Sequence, residues 1–246
     1  MRVLLAFACL LAGCASSQTT TRVGDVEVRT FRRAYTNVHV VERGGVRVLV
    51  DSGYGDDAPA LDAQLRKAGI DPAKLAAVVV THAHADHAGG ASWFHTRYGT
   101  RIVAGAADRG AFAGGRNEKL CAVGALGRWR YAKDQPGTFT PIVADLWIDA
   151  PTQLGPIVGL DATVVPFPSH TLGSLAVLVG GAAIVGDLFR GSVLGHGAEV
   201  HFFMCDLAAN RADVQRLLHD TPGLQRFFPG HFGPLDRGAV EARFGR

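Results

Sequence analysis

The chain is short of charge and of cysteine. Only 19% of its 246 residues are Asp, Glu, Lys or Arg, and the formal net charge is +3. No dense Lys/Arg stripe is present to neutralise a phosphate backbone, which excludes an electrostatically driven nucleic-acid binder. Four cysteines are too few for a disulfide scaffold. The sequence has no internal repeat. Its one apolar run near the start is too short to cross a bilayer, which takes about 20 residues. Apolar residues (48%) and glycines (31) are plentiful instead. Such a chain can bury a full core and has glycines for many tight turns. One domain is the natural expectation at this length.

The first residues read as a targeting segment rather than as part of the fold. Residues 1–14 are MRVLLAFACLLAGC, with Arg2 ahead of an apolar run from Val3 to Ala12. That is the layout of a secretory signal peptide. Leu11-Ala12-Gly13-Cys14 resembles a bacterial lipoprotein signal, in which cleavage leaves the cysteine first and acylated. The expected organisation is a signal peptide over residues 1–13, a polar tether over 14–22 and one folded domain over 23–246. The protein would sit in the bacterial periplasm, held to a membrane through lipid on Cys14. An ordinary signal peptide or a buried apolar strand is the competing reading. Cys9 would leave with the signal, so Cys121 and Cys205 remain. They pair only if their Cα atoms come within about 7 Å. A disulfide and two free buried thiols both stay open.

Short strand-like runs come first: Val23–Arg29, Asn37–Glu42 and Val46–Asp51, the last two joined by a hairpin signal at Gly44-Gly45. Asp57 can cap a helix through Leu61 and Leu65, with Gly69 as its stop. Ala76–Val80 is a continuous apolar strand, as expected when both faces are covered. A helix over Ala88–Tyr98 follows. Residues 110–145 are the least regular part, either an insertion beside an active site or a surface excursion. Strands return over Leu146–Asp149, Ala162–Phe167, Leu175–Val179 and Ala182–Val185. Asn210 can cap a helix through Val214 and Leu217. Strands followed by helices, twice over, imply an α/β fold of four αββα layers.

The chemistry lies in Thr81-His82-Ala83-His84-Ala85-Asp86-His87. Three histidines and an aspartate fall within six residues at the carboxyl end of an apolar strand, where open α/β sheets place ligands. In an extended segment His82 and His84 point the same way. Asp86 and His87 then sit at the turn into a helix and reach a neighbouring point. Two adjacent metal sites are geometrically natural, and imidazole with carboxylate suits zinc, with iron or manganese as substitutes. Packing gives no reason to cluster such residues directly after Val78-Val79-Val80.

His-x-His-x-Asp-His resembles the signature of the metallo-β-lactamase superfamily, and the resemblance runs from about Val26 to Val240. Asp51 in Val50-Asp51-Ser52-Gly53 is similar to that family's early strand-ending aspartate. His170 in Ser169-His170-Thr171, Asp187 in Gly186-Asp187-Leu188 and His231 in Pro229-Gly230-His231 follow in the family's order. The resemblance implies one metal on His82, His84 and His170, a second on Asp86, His87 and His231, and Asp187 bridging the two. Asp86 and Asp187 become the carboxylates expected to act in catalysis. Asp51 would orient the ligand loop by hydrogen bonding. His39, His95, His196, His201 and His219 match no ligand motif and read as structural or surface, with His196 and His201 near the substrate.

The implied fold is the four-layer αββα metallo-β-lactamase sandwich, and the implied activity is hydrolysis by water activated between two zinc ions. Asp187 makes the chain resemble thioesterases of the glyoxalase-II type and lactonases, so an ester, thioester or lactone is the expected small-molecule substrate. No basic glutathione-binding tail is evident. Hydrolysis of β-lactams is the second reading, and a non-catalytic, lipid-anchored metal-binding protein the third. Oligomeric state is not legible.

Overall fold

The valine-rich opening segments pair in sequence order. In the computed structural model, which describes residues 17–245, β1 (Gln18–Val23), β2 (Val26–Arg33), β3 (Thr36–Arg43) and β4 (Val46–Val50) form an antiparallel meander. The direction then changes. Helix α1 (Ala58–Lys67) crosses back so that β5 (Ala77–Val79) lies parallel to β4. The short α2 (Ala85–Ala88) and α3 (Ala91–Tyr98) return the chain to β6 (Arg101–Gly105), parallel to β5. After α4 (Arg109–Gly114) and α5 (Gly124–Asp134), β7 (Leu146–Ile148) pairs parallel with β6.

A second sheet follows. β8 (Thr152–Gln153) is linked by the single-turn α6 (Gly155–Val158) to β9 (Thr163–Pro166). β9, β10 (Leu175–Val179) and β11 (Ala182–Gly186) then continue antiparallel. A small ribbon of β12 (Arg190–Gly191) and β13 (Ala198–Glu199) stands apart. Helix α7 (Leu207–Asp220) carries the chain back so that β14 (Arg226–Pro229) runs parallel to β11. β15 (Leu235–Asp236) and α8 (Arg237–Phe244) complete it.

The layers follow from which face of each strand is apolar. Val48 and Val50 of β4 meet Val164, Val177 and Ile184 of the second sheet, forming the core between the sheets. Leu49 of the same strand points the other way, to Leu61, Leu65 and Phe94 of α1 and α3. Val185 and Phe227 turn outward to Val214, Leu217 and Phe244 of α7 and α8. Both faces of each sheet are thus covered, which is why the central strands read as unbroken apolar runs. The architecture is the expected αββα sandwich.

Two expectations need correction. From Gln18 onward the stretch expected as a tether is a strand, paired with β2 from Gln18–Phe31 to Val23–Val26. Three consecutive threonines are β-branched and suit a half-exposed edge strand. The cap of α7 is Asp206, whose carboxylate accepts from Ala208 N and Ala209 N at 2.9 and 2.8 Å. Asn210 lies inside the helix, buried, and donates to Leu188 O at 2.7 Å. The signal peptide and Cys14 lie outside the described residues.

Candidate metal centre

Strand ends deliver the polar residues of the site. Asp51 follows β4, Thr81 and His82 follow β5, Asp187 follows β11 and His231 follows β14. β4 runs parallel to β5, and β11 to β14, so all four carboxyl ends open at one edge of the sandwich. His170 comes from the loop between β9 and β10.

The side chains converge in two groups. His82 Nε2 and His170 Nε2 lie 3.0 and 3.2 Å from His84 Nδ1. Asp86 Oδ2 lies 3.6 Å from His87 Nε2 and 3.5 Å from His231 Nε2. Asp187 Oδ2 stands between the groups, 3.7 and 3.6 Å from His82 and His170 and 3.4 and 3.3 Å from His87 and His231. Nearly all of this is buried, down to the backbone. A methyl group on Gly230 would come within 2.5 Å of both Asp187 Oδ1 and His87 Cε1, so only glycine fits there.

Hydrogen bonds on the far side of each ring decide what it presents to the site. His87 Nδ1 is 2.8 Å from Asp51 Oδ2, His170 Nδ1 is 3.0 Å from Phe203 O and His231 Nδ1 is 3.0 Å from Tyr35 O. These oxygens only accept, so each Nδ1 carries a proton and Nε2 is the nitrogen that each ring turns inward. His87 Nε2 and Asp187 Oδ1 are buried without any hydrogen bond, which is costly unless a cation takes them up. Three sets of ligand atoms, His82-His84-His170-Asp187, Asp86-His87-His231 and Asp187-His201-His231, each lie within 4.8 Å of one another. Nitrogen and carboxylate donors of this kind fit zinc or a related transition metal.

The supporting bonds are dense. Asp51 accepts from Thr81 N at 2.7 Å and Thr81 Oγ1 at 2.9 Å while holding His87. Its backbone sits in the left-handed region, φ 60°, a conformation that costs a non-glycine residue about 1 kcal/mol or more. Asp108, fully buried, accepts from Ala83 N at 3.1 Å, Thr171 Oγ1 at 2.7 Å and Gly173 N at 2.7 Å. It therefore ties the His82–His84 segment to the His170 loop. Thr36 Oγ1 donates to Asp86 Oδ2 at 2.9 Å.

The two groups differ in charge. Burial, then the neighbouring imidazoles, holds the pKa of His82 well below the ordinary histidine value. The same causes bring His84 down to about 3. Burial likewise lowers His170. Burial works in that direction at His87 too, but Asp187, Asp86 and Asp51 outweigh it and raise the group well above its usual value. Asp187 and Asp86 likewise raise His231 against its burial. Burial opposes ionisation of Asp187, yet His201, His231 and His87 hold its carboxyl well below the usual range.

A cleft of about 350 Å³ opens over the site, walled by Tyr35, Tyr54, Leu120, Arg130 and Phe202 among others. Tyr35 stacks on His231 at 5.2 Å, and the Arg130 guanidinium covers the other face of that corner, 3.8 Å from the Tyr35 ring. The irregular stretch 110–145 forms one wall. Asn117 Oδ1 accepts from Ala85 N at 2.7 Å, directly beside the histidine motif. A disulfide joins Cys121 to Cys205, Cα atoms 4.8 Å apart. Val123 N to Phe202 O at 2.7 Å and Met204 N to Cys121 O at 2.8 Å complete the seam.

The sequence profile of the metallo-beta-lactamase superfamily matches residues 32–231. The chain belongs to this superfamily. It is 30% identical over 205 residues to the Drosophila melanogaster "Beta-lactamase-like protein 2 homolog", covering 80% of this chain and 58% of the relative. It is 28% identical over 158 residues to a hydroxyacylglutathione hydrolase of Dechloromonas aromatica, covering 64% of this chain and 45% of that protein. The chain thus spans about half the length of these relatives. Among solved structures, a protein crystallised in a di-iron-bound form superposes with a TM-score of 0.61 at 25% identity, covering 87% of this chain and 96% of the other.

Within this superfamily member, His82, His84, Asp86, His87, His170, Asp187 and His231 all stand where the sequence motifs put them together. Asp51 touches both the motif strand and His87. His39 is buried away from the cleft, bonded to Thr30 Oγ1 at 3.0 Å and 3.3 Å from Pro229 O. His95, His196 and His219 are exposed. His201, read as structural or near the substrate, is buried in the site and lines the cleft, its Nε2 3.1 Å from Asp187 Oδ2. Asp108 and Asn117 were equally hidden in the sequence. The one available signal for His201 was its setting, a lone histidine beside Phe202-Phe203-Met204, where burial demands a partner.

Proposed function

We propose that this chain is a hydrolase with a dinuclear zinc centre, acting on an ester, thioester or lactone carbonyl. The observation that carries the reading is the convergence of seven ligating side chains, with His87 Nε2 and Asp187 Oδ1 buried at their centre without a hydrogen-bond partner. His82, His84 and His170 would hold one ion, Asp86, His87 and His231 the other, and Asp187 both. Ions there would supply a water acidic enough to attack a carbonyl near neutral pH. The protein's own part is placement. Asp51 and Asp108 fix the two ligand loops, hydrogen bonds to Nδ1 of His87, His170 and His231 keep Nε2 inward, and Tyr35, Phe202 and Leu120 shield the reacting carbonyl from bulk water. The name carried by the Dechloromonas relative supports thioesters as one class to test.

Purified protein is expected to hold close to two transition-metal ions per chain by elemental analysis. No metal after refolding with zinc would sink the proposal. Turnover across a lactone, a thioester, an aryl ester and a cephalosporin ranks the substrate classes, and preference for the cephalosporin would replace this reading with the β-lactam one.

The lipoprotein reading is likewise proposed: export to the periplasm and anchoring through Cys14. The Cys121–Cys205 disulfide supports an oxidising compartment. Cys14→Ala should release the protein from membranes, and continued membrane association of that variant would refute the anchor.

A further inference from the structure

His201 faces the site with a polarity opposite to that of His87, His170 and His231. Its side chain is 3% exposed, and its Nε2 has no hydrogen-bond partner. Asp187 Oδ2 is 3.1 Å away but outside the hydrogen-bonding direction. On the other edge of the ring, Phe203 N donates to Nδ1 at 3.2 Å. Phe203 O is also 3.3 Å from this Nδ1, a longer contact than the one from Phe203 N, and it takes a bond from His170 Nδ1 at 3.0 Å. A peptide N–H can only donate, so Nδ1 of His201 accepts and Nε2 carries the proton. His87, His170 and His231 are wired the other way, with Nδ1 facing a carboxylate or carbonyl oxygen. They turn Nε2 toward the place a cation would take. In this tautomer His201 offers a proton-bearing nitrogen where the other members of its Asp187-His201-His231 set offer a ligand atom.

Its place suits the reacting atoms. The ring lies 4.9 Å from that of His170 and stacks 5.1 Å from that of His231, one residue from each ligand group. It also lines the cleft beside Phe202 and Tyr35. The backbone segment that sets its polarity, Phe202–Met204, is the one seamed to Cys121 and Val123.

Resting on the hydrolase reading above, we infer that His201 is a further catalytic residue, whose Nε2–H hydrogen-bonds the substrate oxygen on which negative charge develops as water attacks the carbonyl. No proton changes hands. The group lowers the energy of the charged state by a fixed, buried dipole. Removing one such donor in other enzymes costs about 10²–10³ in kcat.

The test compares the zinc-loaded wild-type protein with His201→Phe and His201→Gln. Phe removes the donor, whereas Gln keeps an N–H of similar reach and guards against a variant that fails to fold. Three readouts are taken: zinc per chain, kcat and KM on 4-nitrophenyl acetate, and calorimetric affinity for phenylphosphonate as a tetrahedral anion. His201→Phe should retain the wild-type zinc content, lose about 100-fold in kcat with KM little changed, and bind phenylphosphonate at least about tenfold more weakly. His201→Gln should recover part of both losses. A long-range ¹H–¹⁵N spectrum of the wild-type protein should show the His201 proton on Nε2.

Zinc content falling in step with kcat would make His201 a ligand and overturn the inference. A proton on Nδ1, or unchanged kcat and phosphonate affinity, would overturn it as well. A wild-type protein that takes up no zinc would instead strike the hydrolase reading, and this inference with it.

Discussion

At one half of the candidate centre His82, His84 and His170 crowd together, and burial keeps all three neutral. At the other half His87 and His231 lie among Asp86, Asp187 and Asp51, and those carboxylates hold the two imidazoles in their protonated form against the pull of burial. Both halves are built from strand ends of the same kind. The difference is in how many acids each loop brings. It teaches that the first half can accept a cation without releasing a proton, whereas the second must exchange protons for its ion.

The comparison breaks most completely at Asp187, the group both halves share. Asp187→Ala should cost more than the 10–100-fold typical of losing a supporting residue and should empty both halves, read as zinc per chain after dialysis. Loss of a single ion would assign Asp187 to one half.

The next largest effects should separate the halves. Asp51→Ala releases His87 and should weaken the acid-rich half by about 10–100-fold while sparing the three-histidine half. Asp108→Ala frees the loops of His82, His84 and His170 and should do the reverse. Competition titration against a chelating dye resolves the two affinities, and equal loss at both would erase the distinction.

Acidification sharpens the contrast without mutation. His87 and His231 have raised pKa values, so an ion there competes with protons already at pH values above their ordinary 6.5. Its affinity should fall as pH falls, by about tenfold per pH unit for each proton displaced. His82, His84 and His170 are depressed below 6.5 and stay neutral through the same window. Zinc content in pH-stepped dialysis should therefore pass through a one-ion plateau on the way down. Simultaneous loss of both ions would contradict this.

The smallest effect on the centre is expected from Cys121→Ser with Cys205→Ser. The disulfide spans 84 residues, and its removal should lower unfolding stability by about 2–5 kcal/mol. It pins the cleft wall rather than the strand ends. Zinc content should stay at the wild-type value, with the change confined to KM.

How far the site was legible depended on how local each part is. His82 and His84 were placed together by period-two geometry on one strand end, and Asp86 and His87 by the turn into a helix that follows. Asp51, His170, Asp187 and His231 were legible because each ends an apolar strand or sits in a Pro/Gly loop at a strand edge, in an order matching a known pattern. His201 and Asp108 were not. Each acts through partners distant in sequence, Asp187 for one and Thr171 with Gly173 for the other. Of the two, only His201 has neighbours that mark it, the apolar run Phe202-Phe203-Met204. The cap of α7 was misplaced for a different reason: Asp206 and Asn210 are both good capping residues, and only the geometry showed which one ends the loop. The threonine strand β1 read as a tether because polarity was weighed above β-branching.

The sequence by itself determined the layer order and the donor types. Apolar runs covered on both faces require two sheets between helices, and clustered imidazole with carboxylate has few uses besides a metal. The tertiary structure decided the protonation pattern and the substrate wall. Which ring nitrogen holds a proton depends on an oxygen or an N–H brought in from elsewhere in the chain. Pairing of Cys121 with Cys205 likewise required two loops to meet at 4.8 Å. Contacts of that kind arise from how the strands pack, and local pattern does not encode them.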